Sequence, residues 1–167
     1  TDISSLSNAV YVEPQTGNRG RTFNMDIKLK NEQPIRTYSF KLKLPEGVTL
    51  VKNEDGEYVY ELSGRNSDYS PTVYYDSTDD AYNFAVFSSL SGNDGTIMTL
   101  KLQVNEDMAL GDYPITITNS RFSPVGEYIS IFAPETTSLL TVAERTYIKG
   151  DAKDRDRKSG SAGMPRP

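Results

Sequence analysis

Strict alternation of apolar and polar side chains is the feature that most restricts how this chain of 167 residues can fold. Residues 22–30 and 36–44 carry an apolar side chain at every second position, with polar or charged side chains between them. The same period returns in residues 82–88, 96–104 and 113–118. Because side chains of a β-strand point alternately to its two faces, each segment is predicted to be a strand with one buried face.

Shorter strand candidates lie at 8–13, 47–51, 57–62, 72–75 and 137–142, separated by breaks rich in Pro, Gly, Asn and Asp. Those residues favour turns. No helical period is sustained anywhere in the sequence. We therefore predict an all-β fold, a jelly-roll-like antiparallel β-sandwich of about nine strands.

The change in composition along the chain predicts three parts. Residues 1–7 are an N-terminal linker, and residues 8–143 form the sandwich. Residues 144–167 are a second linker and a charged, Gly/Ser/Pro-rich tail with almost nothing to bury. Such a tail is expected to be disordered.

Charge and composition exclude several classes of function. The net charge of −5 repels phosphate backbones, so we expect no nucleic-acid partner. The chain has no His and no Cys, which removes imidazole and thiol chemistry and the usual ligands of structural zinc. No apolar run approaches the ~20 residues that span a bilayer, so we expect no membrane insertion. The first five residues do not have the pattern of a signal peptide.

Without His or Cys, catalysis would depend mainly on a pair of carboxylates. The acidic residues cluster at 54–57, 76–80 and 106–107, beside Gly, Ser or Asn. Asp favours such places because it bonds to its own turn, so these acids are interpreted as solvated turn residues. The chain is predicted not to be an enzyme.

One acidic loop is a candidate calcium site. Asp76, Asp79 and Asp80 lie within five residues of one another, and calcium takes several carboxylate and carbonyl oxygens from a flexible loop. The loop lacks the spacing of an EF-hand, so an empty loop is the alternative. No other cofactor is expected.

Tyrosines crowd the stretch from residue 58 to residue 82, and Tyr69, Tyr74 and Tyr75 are the candidate ligand-binding residues. Exposed tyrosines stack on sugar rings and also suit protein interfaces. The alternative is that these are ordinary strand residues whose rings pack against the sandwich. Tyr74 and Tyr75 are adjacent, so they must point to opposite faces if both lie in a strand.

The order of the segments resembles the cohesin family. Residues 21–27 (RTFNMDI) and 38–48 (YSFKLKLPEGV) are similar to the opening strands of a cohesin module. Residues 95–102 (GTIMTLKL) and 110–115 (LGDYPI) are similar to its later strands. These motifs are loose strand patterns that carbohydrate-binding modules of the same sandwich shape share.

Residues 147–152 (YIKGDA) resemble the start of a dockerin repeat, which normally continues into a calcium loop. With Asp151 at the first position of that loop, Lys153 and Arg155 would occupy its third and fifth positions. Those positions need oxygen ligands, so this tail is not expected to bind a cation.

The resemblance implies a non-catalytic binding or scaffolding module that docks a dockerin-type protein. It also implies a secreted or cell-surface protein from a polysaccharide-degrading bacterium. Two alternatives stay open: a carbohydrate-binding module that uses exposed tyrosines to hold a polysaccharide, and a ligand-free structural spacer in a surface protein. We expect the module to be a monomer.

Overall fold

A computed structural model describes residues 2–67 and 71–144. Within those ranges the chain begins with a short 3-10 turn at Ile3–Ser5, which Asp2 caps, and continues as strands alone. The strands are β1 Ala9–Tyr11, β2 Gln15–Asn18, β3 Thr22–Lys30, β4 Ile35–Lys43, β5 Val48–Leu50, β6 Tyr60–Leu62, β7 Thr72–Asp76, β8 Ala81–Phe87, β9 Thr96–Val104, β10 Gly111–Pro124, β11 Ile131–Ala133 and β12 Thr136–Ala143. No helix in this part of the chain is long and apolar enough to cross a bilayer.

Two sheets pack face to face. In the described residues the smaller sheet has the order β1-β3-β9-β5, with β6 also paired to β9. The larger sheet has the order β2-β12-β10-β4-β8-β7, with β11 paired to β10. All these pairs are antiparallel except β2 with β12, which run parallel from Gln15 opposite Leu140 to Asn18 opposite Ala143.

The alternating segments bury the faces that their sequences predict. On β3, Met25, Ile27 and Leu29 are completely buried, while the intervening polar side chains lie towards solvent. Strand β4 repeats the pattern, and the Phe40 ring stacks on the Phe84 ring of β8 with 4.7 Å between ring centroids. Burial of side chains this large stabilises the fold by ~1.5–3 kcal/mol each.

The prediction of an all-β sandwich is confirmed, with twelve strands in the described residues instead of about nine. The additional strands are short: β2 has four residues and β11 has three, and neither falls in a predicted strand. Such segments have too few residues to show a period and become strands only by pairing with a longer neighbour. The parallel pair β2–β12 was not expected.

Arg65 holds together loops at one end of the sandwich. Its guanidinium donates hydrogen bonds of 2.7–3.3 Å to the carbonyl oxygens of Leu29, Ser91, Gly92 and Gly95 and to the side chain of Asn31. Partial burial lowers the pKa of Arg65. The loop between β8 and β9 receives one more contact, from the Tyr11 hydroxyl to Asp94 Oδ1 at 2.9 Å.

Two predicted features of the C-terminal end lie almost wholly outside the described residues. Except for Glu144, the predicted tail 144–167 lies outside the described residues, and so does the dockerin-like stretch at 147–152. The predicted disorder of the tail therefore stays a prediction.

Candidate functional site

The outward side of the larger sheet carries a row of side chains that crosses five strands. Strand pairing sets Phe132 of β11 opposite Arg121 of β10, and Arg121 opposite Ser39 of β4. It then sets Ser39 opposite Ala85 of β8, and Ala85 opposite Thr72 of β7. Neighbouring strands lie about 4.8 Å apart, so this row is ~19 Å long. We call this side, formed by the outward side chains of β7, β8, β4, β10 and β11, the outer face.

A shallow depression of about 360 Å³ lies at the centre of the outer face. Ser39 and Ala85 are small, so the sheet surface is low there, and the buried rings of Phe40 and Phe84 lie beneath it. Larger side chains surround it. The depression is bordered by Lys41, Tyr74, Asn83, Asn119, Arg121 and Phe132.

Three aromatic side chains on the outer face are largely exposed to solvent. Phe132 is 75% exposed, Phe87 is 69% exposed and Tyr74 is 53% exposed. With about 200 Å² per aromatic side chain, the three rings leave roughly 400 Å² of aromatic surface in water. The hairpin between β10 and β11 adds the exposed side chains of Tyr128 and Ile129. The largest exposed apolar patch on a monomer is often of this size and is often functional.

A β-bulge sets the position of the one charged side chain in the central row. The register of β10 on β4 shifts between Thr118 and Arg121, and Asn119 takes a positive φ of 53° there. Asn tolerates this conformation better than most residues. The shift leaves Arg121 opposite Ser39 at the edge of the depression.

The sequence-predicted tyrosines fall in different places. Tyr74 lies on the outer face, whereas Tyr75 points to the other side of β7, so the expected opposition is present in the strand. Tyr69 lies outside the described residues. The Tyr75 hydroxyl donates a hydrogen bond to Asp80, and that bond raises the pKa of Tyr75 to about 12.

Tyr75 belongs to a separate cleft of about 850 Å³ at the edge of the sandwich. Its ring lies 5.1 Å from the Tyr82 ring at 58°, and Tyr58 meets Tyr82 edge-on at 88°. Lys52 Nζ lies 5.0 Å from the Tyr58 ring centroid and lines the same cleft. Tilted rings give no flat platform for a sugar, so this arrangement does not favour the carbohydrate-binding alternative.

The acidic loop has partners within the protein. Asp76 Oδ1 accepts a backbone N–H of its own turn at 2.9 Å, Asp79 forms an ion pair with Lys41, and Asp80 accepts the Tyr75 hydroxyl. Across residues 2–67 and 71–144, no group of three or more acidic side chains has the arrangement to hold a metal ion. Calcium binding by Asp76, Asp79 and Asp80 stays a prediction.

Sequence reasoning missed most of the outer face. The alternation in 82–88 directs Phe84 and Val86 inwards, so it also directs Phe87 outwards. The exposure of Phe87 could therefore have been predicted from the sequence. Residues 128–132 were assigned to no strand, so Phe132 had no predicted face. The depression depends on Ser39 and Ala85 meeting across two strands, which no local pattern reveals.

Comparison with known proteins gives a consistent result. The sequence model of the cohesin domain matches residues 9–129. The fold is similar to the seventh ScaB type I cohesin from Pseudobacteroides cellulosolvens, with 19% identity, a TM-score of 0.63 and coverage of 84% of this chain and 94% of that one. A comparison with curated proteins found no match.

Two further structures extend the likeness in fold. One is the Clostridium thermocellum complex of the OlpA cohesin with the dockerin Doc918, with 10% identity, a TM-score of 0.65 and coverage of 83% and 100% of the two chains. The other is a non-cellulosomal cohesin from the archaeon Archaeoglobus fulgidus, with 8% identity, a TM-score of 0.65 and coverage of 83% and 93%.

Proposed function

Because the chain belongs to the cohesin family, we propose that it docks a dockerin-type protein through the outer face of its larger sheet. Cohesins are non-catalytic modules for protein interaction, so the prediction that the chain is not an enzyme is confirmed by its family. The resemblance noted in the sequence is confirmed in the same way. The partner and the face that binds it are the proposal.

The observation that carries the proposal is the exposed aromatic surface around the central depression. Phe132, Phe87 and Tyr74 are all more than half exposed on this face. Interfaces concentrate their binding free energy in aromatic residues and Arg that become desolvated on docking. An α-helix is about 10 Å wide and fits across a row of ~19 Å, so a helical partner is the natural occupant.

The class of partner is supported by relatives of the same fold. The OlpA cohesin, for example, is bound to the dockerin Doc918. We further propose that the module works outside the cell in polysaccharide breakdown, as its resemblance to cohesins implies. The Archaeoglobus fulgidus cohesin is described as non-cellulosomal, so membership of the family alone does not decide this setting.

Binding to a panel of purified dockerins, Doc918 among them, tests the proposal. The chain is immobilised and each dockerin is titrated by biolayer interferometry, with calcium present throughout. We expect at least one to bind, and Phe132→Ser and Phe87→Ser to weaken that binding about tenfold or more, since each removes an exposed aromatic from the interface. Circular dichroism would verify that each variant keeps its fold.

Leu110→Ser is the matched control, because Leu110 is 51% exposed but lies in the connection between β9 and β10. Its affinity should equal that of the wild type. Docking through the outer face would be wrong if the control lost as much affinity as Phe132→Ser. Absence of binding to every dockerin would favour the structural spacer.

A further inference from the structure

We propose that the outer face selects a partner whose docking helix places an Asp or Glu carboxylate against Arg121 and an apolar side chain in the adjacent depression. This inference rests on the proposed docking function and specifies the chemistry of the partner.

The side chain of Arg121 is held in place before any partner arrives. Its Nε donates to Ser130 Oγ at 3.0 Å, and its guanidinium carbon lies 5.8 Å from the centroid of the Phe132 ring. Both contacts restrict the rotation of a long side chain that would otherwise lose conformational entropy on binding. Arg121 remains exposed, so the guanidinium is still accessible.

Arg121 also retains unused hydrogen-bonding capacity. Within residues 2–67 and 71–144, its Nη1 and Nη2 donate no hydrogen bond, and none of the three ion pairs includes it. The terminal amines of a guanidinium form a planar fork that matches the two oxygens of a carboxylate. Because Ser130 occupies Nε, Nη1 and Nη2 are the donors that remain for an incoming carboxylate.

The charge around the depression favours an acidic partner group. Lys41 and Arg121 are the charged side chains among the described residues that line it, and no carboxylate lies there. Asp79 forms an ion pair with Lys41, so among the described residues that line the depression Arg121 is the charged side chain outside an ion pair. The chain as a whole carries a net charge of −5, so Arg121 gives this face a local positive potential on an acidic molecule.

Spacing relates the carboxylate to the apolar side chain. Arg121 lies one strand from Ser39 and two strands from Ala85, so the middle of the depression is ~7 Å from it. Residues three or four apart on a helix share a face at ~5–6 Å. A helix with Asp or Glu at position i and Leu, Ile or Met at i+3 or i+4 therefore matches both features.

Selection from a library tests the inference. Helix-surface positions of Doc918 are randomised, displayed on phage and selected against the wild-type chain and, separately, against Arg121→Glu. We expect wild-type binders to be enriched in Asp or Glu followed three or four residues later by an apolar residue. Binders to Arg121→Glu should be enriched in Lys or Arg at the same position instead.

Affinities of individual clones complete the test. Arg121→Glu should weaken wild-type-selected clones about tenfold or more, and Arg121→Lys, which keeps the charge but loses the fork, should weaken them less. The control is Lys101→Glu, the same charge reversal at an exposed position on β9 of the other sheet, and it should leave affinity unchanged.

The outcomes separate the two proposals. If binders lose affinity with Phe132→Ser but show no acidic enrichment and tolerate Arg121→Glu, docking on the outer face stands and the role of Arg121 is refuted. If the library yields no binder, the docking function is refuted and this inference with it. If Lys101→Glu abolishes binding, docking through the outer face is refuted, and so is this inference.

Discussion

Replacing Arg65 with Met removes a guanidinium that joins three segments of the chain while keeping a side chain of similar length. The five acceptors belong to the end of β3, to the residue that follows it and to the loop between β8 and β9. The bonds to Leu29, Gly95 and Asn31 are partly buried, whereas those to Ser91 and Gly92 are exposed. Water can replace Arg65 at the exposed acceptors but less readily at the others.

The expected cost follows from the three partly buried bonds. A hydrogen bond from a charged donor contributes ~1.5–3 kcal/mol, and partial exposure reduces that to about 1 kcal/mol each. We therefore expect Arg65→Met to lower the free energy of unfolding by about 3 kcal/mol. For a domain of this size that corresponds to a decrease of ~6–12 °C in Tm. Arg65→Lys should lose about half as much, since an ammonium cannot reach all five acceptors.

Urea denaturation followed by circular dichroism measures these differences. The slope of the free energy of unfolding against urea should not change, because the core is the same in each variant. Arg36→Met is the control: Arg36 is exposed and donates one bond of 3.3 Å, to the carbonyl oxygen of Pro124, so a loss within about 0.5 kcal/mol is expected. A loss below about 1 kcal/mol for Arg65→Met, or full stability for Arg65→Lys, would refute the assigned role of Arg65.

Two more predictions concern stability. Burial and the hydrogen bond to Asp94 raise the pKa of Tyr11 from 10.0 to about 12. The stability that the protonated hydroxyl adds to the fold is therefore fully present below pH 10 and is lost as pH rises towards 12. The stability difference between the wild type and Tyr11→Phe, measured by urea denaturation, should therefore narrow over that range, and a constant or growing difference would contradict this. A Cβ at Gly17 would lie 2.9 Å from Val104 Cγ2, so Gly17→Ala should destabilise the fold by ~1–3 kcal/mol. Gly64→Ala, where a Cβ meets nothing within 4 Å, should leave stability nearly unchanged when both variants are measured by thermal melts. Equal losses of stability in the two variants would refute the close approach at Gly17.

The sequence predicted the long strands well because one face of each is apolar and the other is polar. In β3 and β4 every second side chain is apolar, so one register buries the whole apolar set and a shift by one residue exposes it. Short edge strands such as β11 have no such constraint. Their structure depends on partners found elsewhere in the chain, as in the pairing of Phe132 with Arg121.

The candidate site was harder to predict for a related physical reason. Tyr74 was a candidate because tyrosines cluster in the sequence around it, whereas nothing in the sequence singles out Ser39 or Ala85. They matter because pairing brings them together from positions 46 residues apart, with Arg121 a further strand away. Resemblance to cohesins indicated what kind of partner to expect, whereas the position of the depression had to come from the pairing of strands.

The parallel pairing of β2 with β12 determines how the module responds to tension. If force acts on the residues before β1 and after β12, the first reaches β2 through β1, which is itself paired with β3, and pulls β2 backwards along its axis. The second pulls β12 forwards. Parallel neighbours loaded in this way slide lengthwise, so their hydrogen bonds share the load and must break together. The ion pair of Arg19 with Glu144 and the 2.6 Å bond from Thr136 to the Val10 carbonyl oxygen reinforce the same edge. Under such a pull, the hydrogen bonds between β2 and β12 are therefore expected to resist extension until they break together.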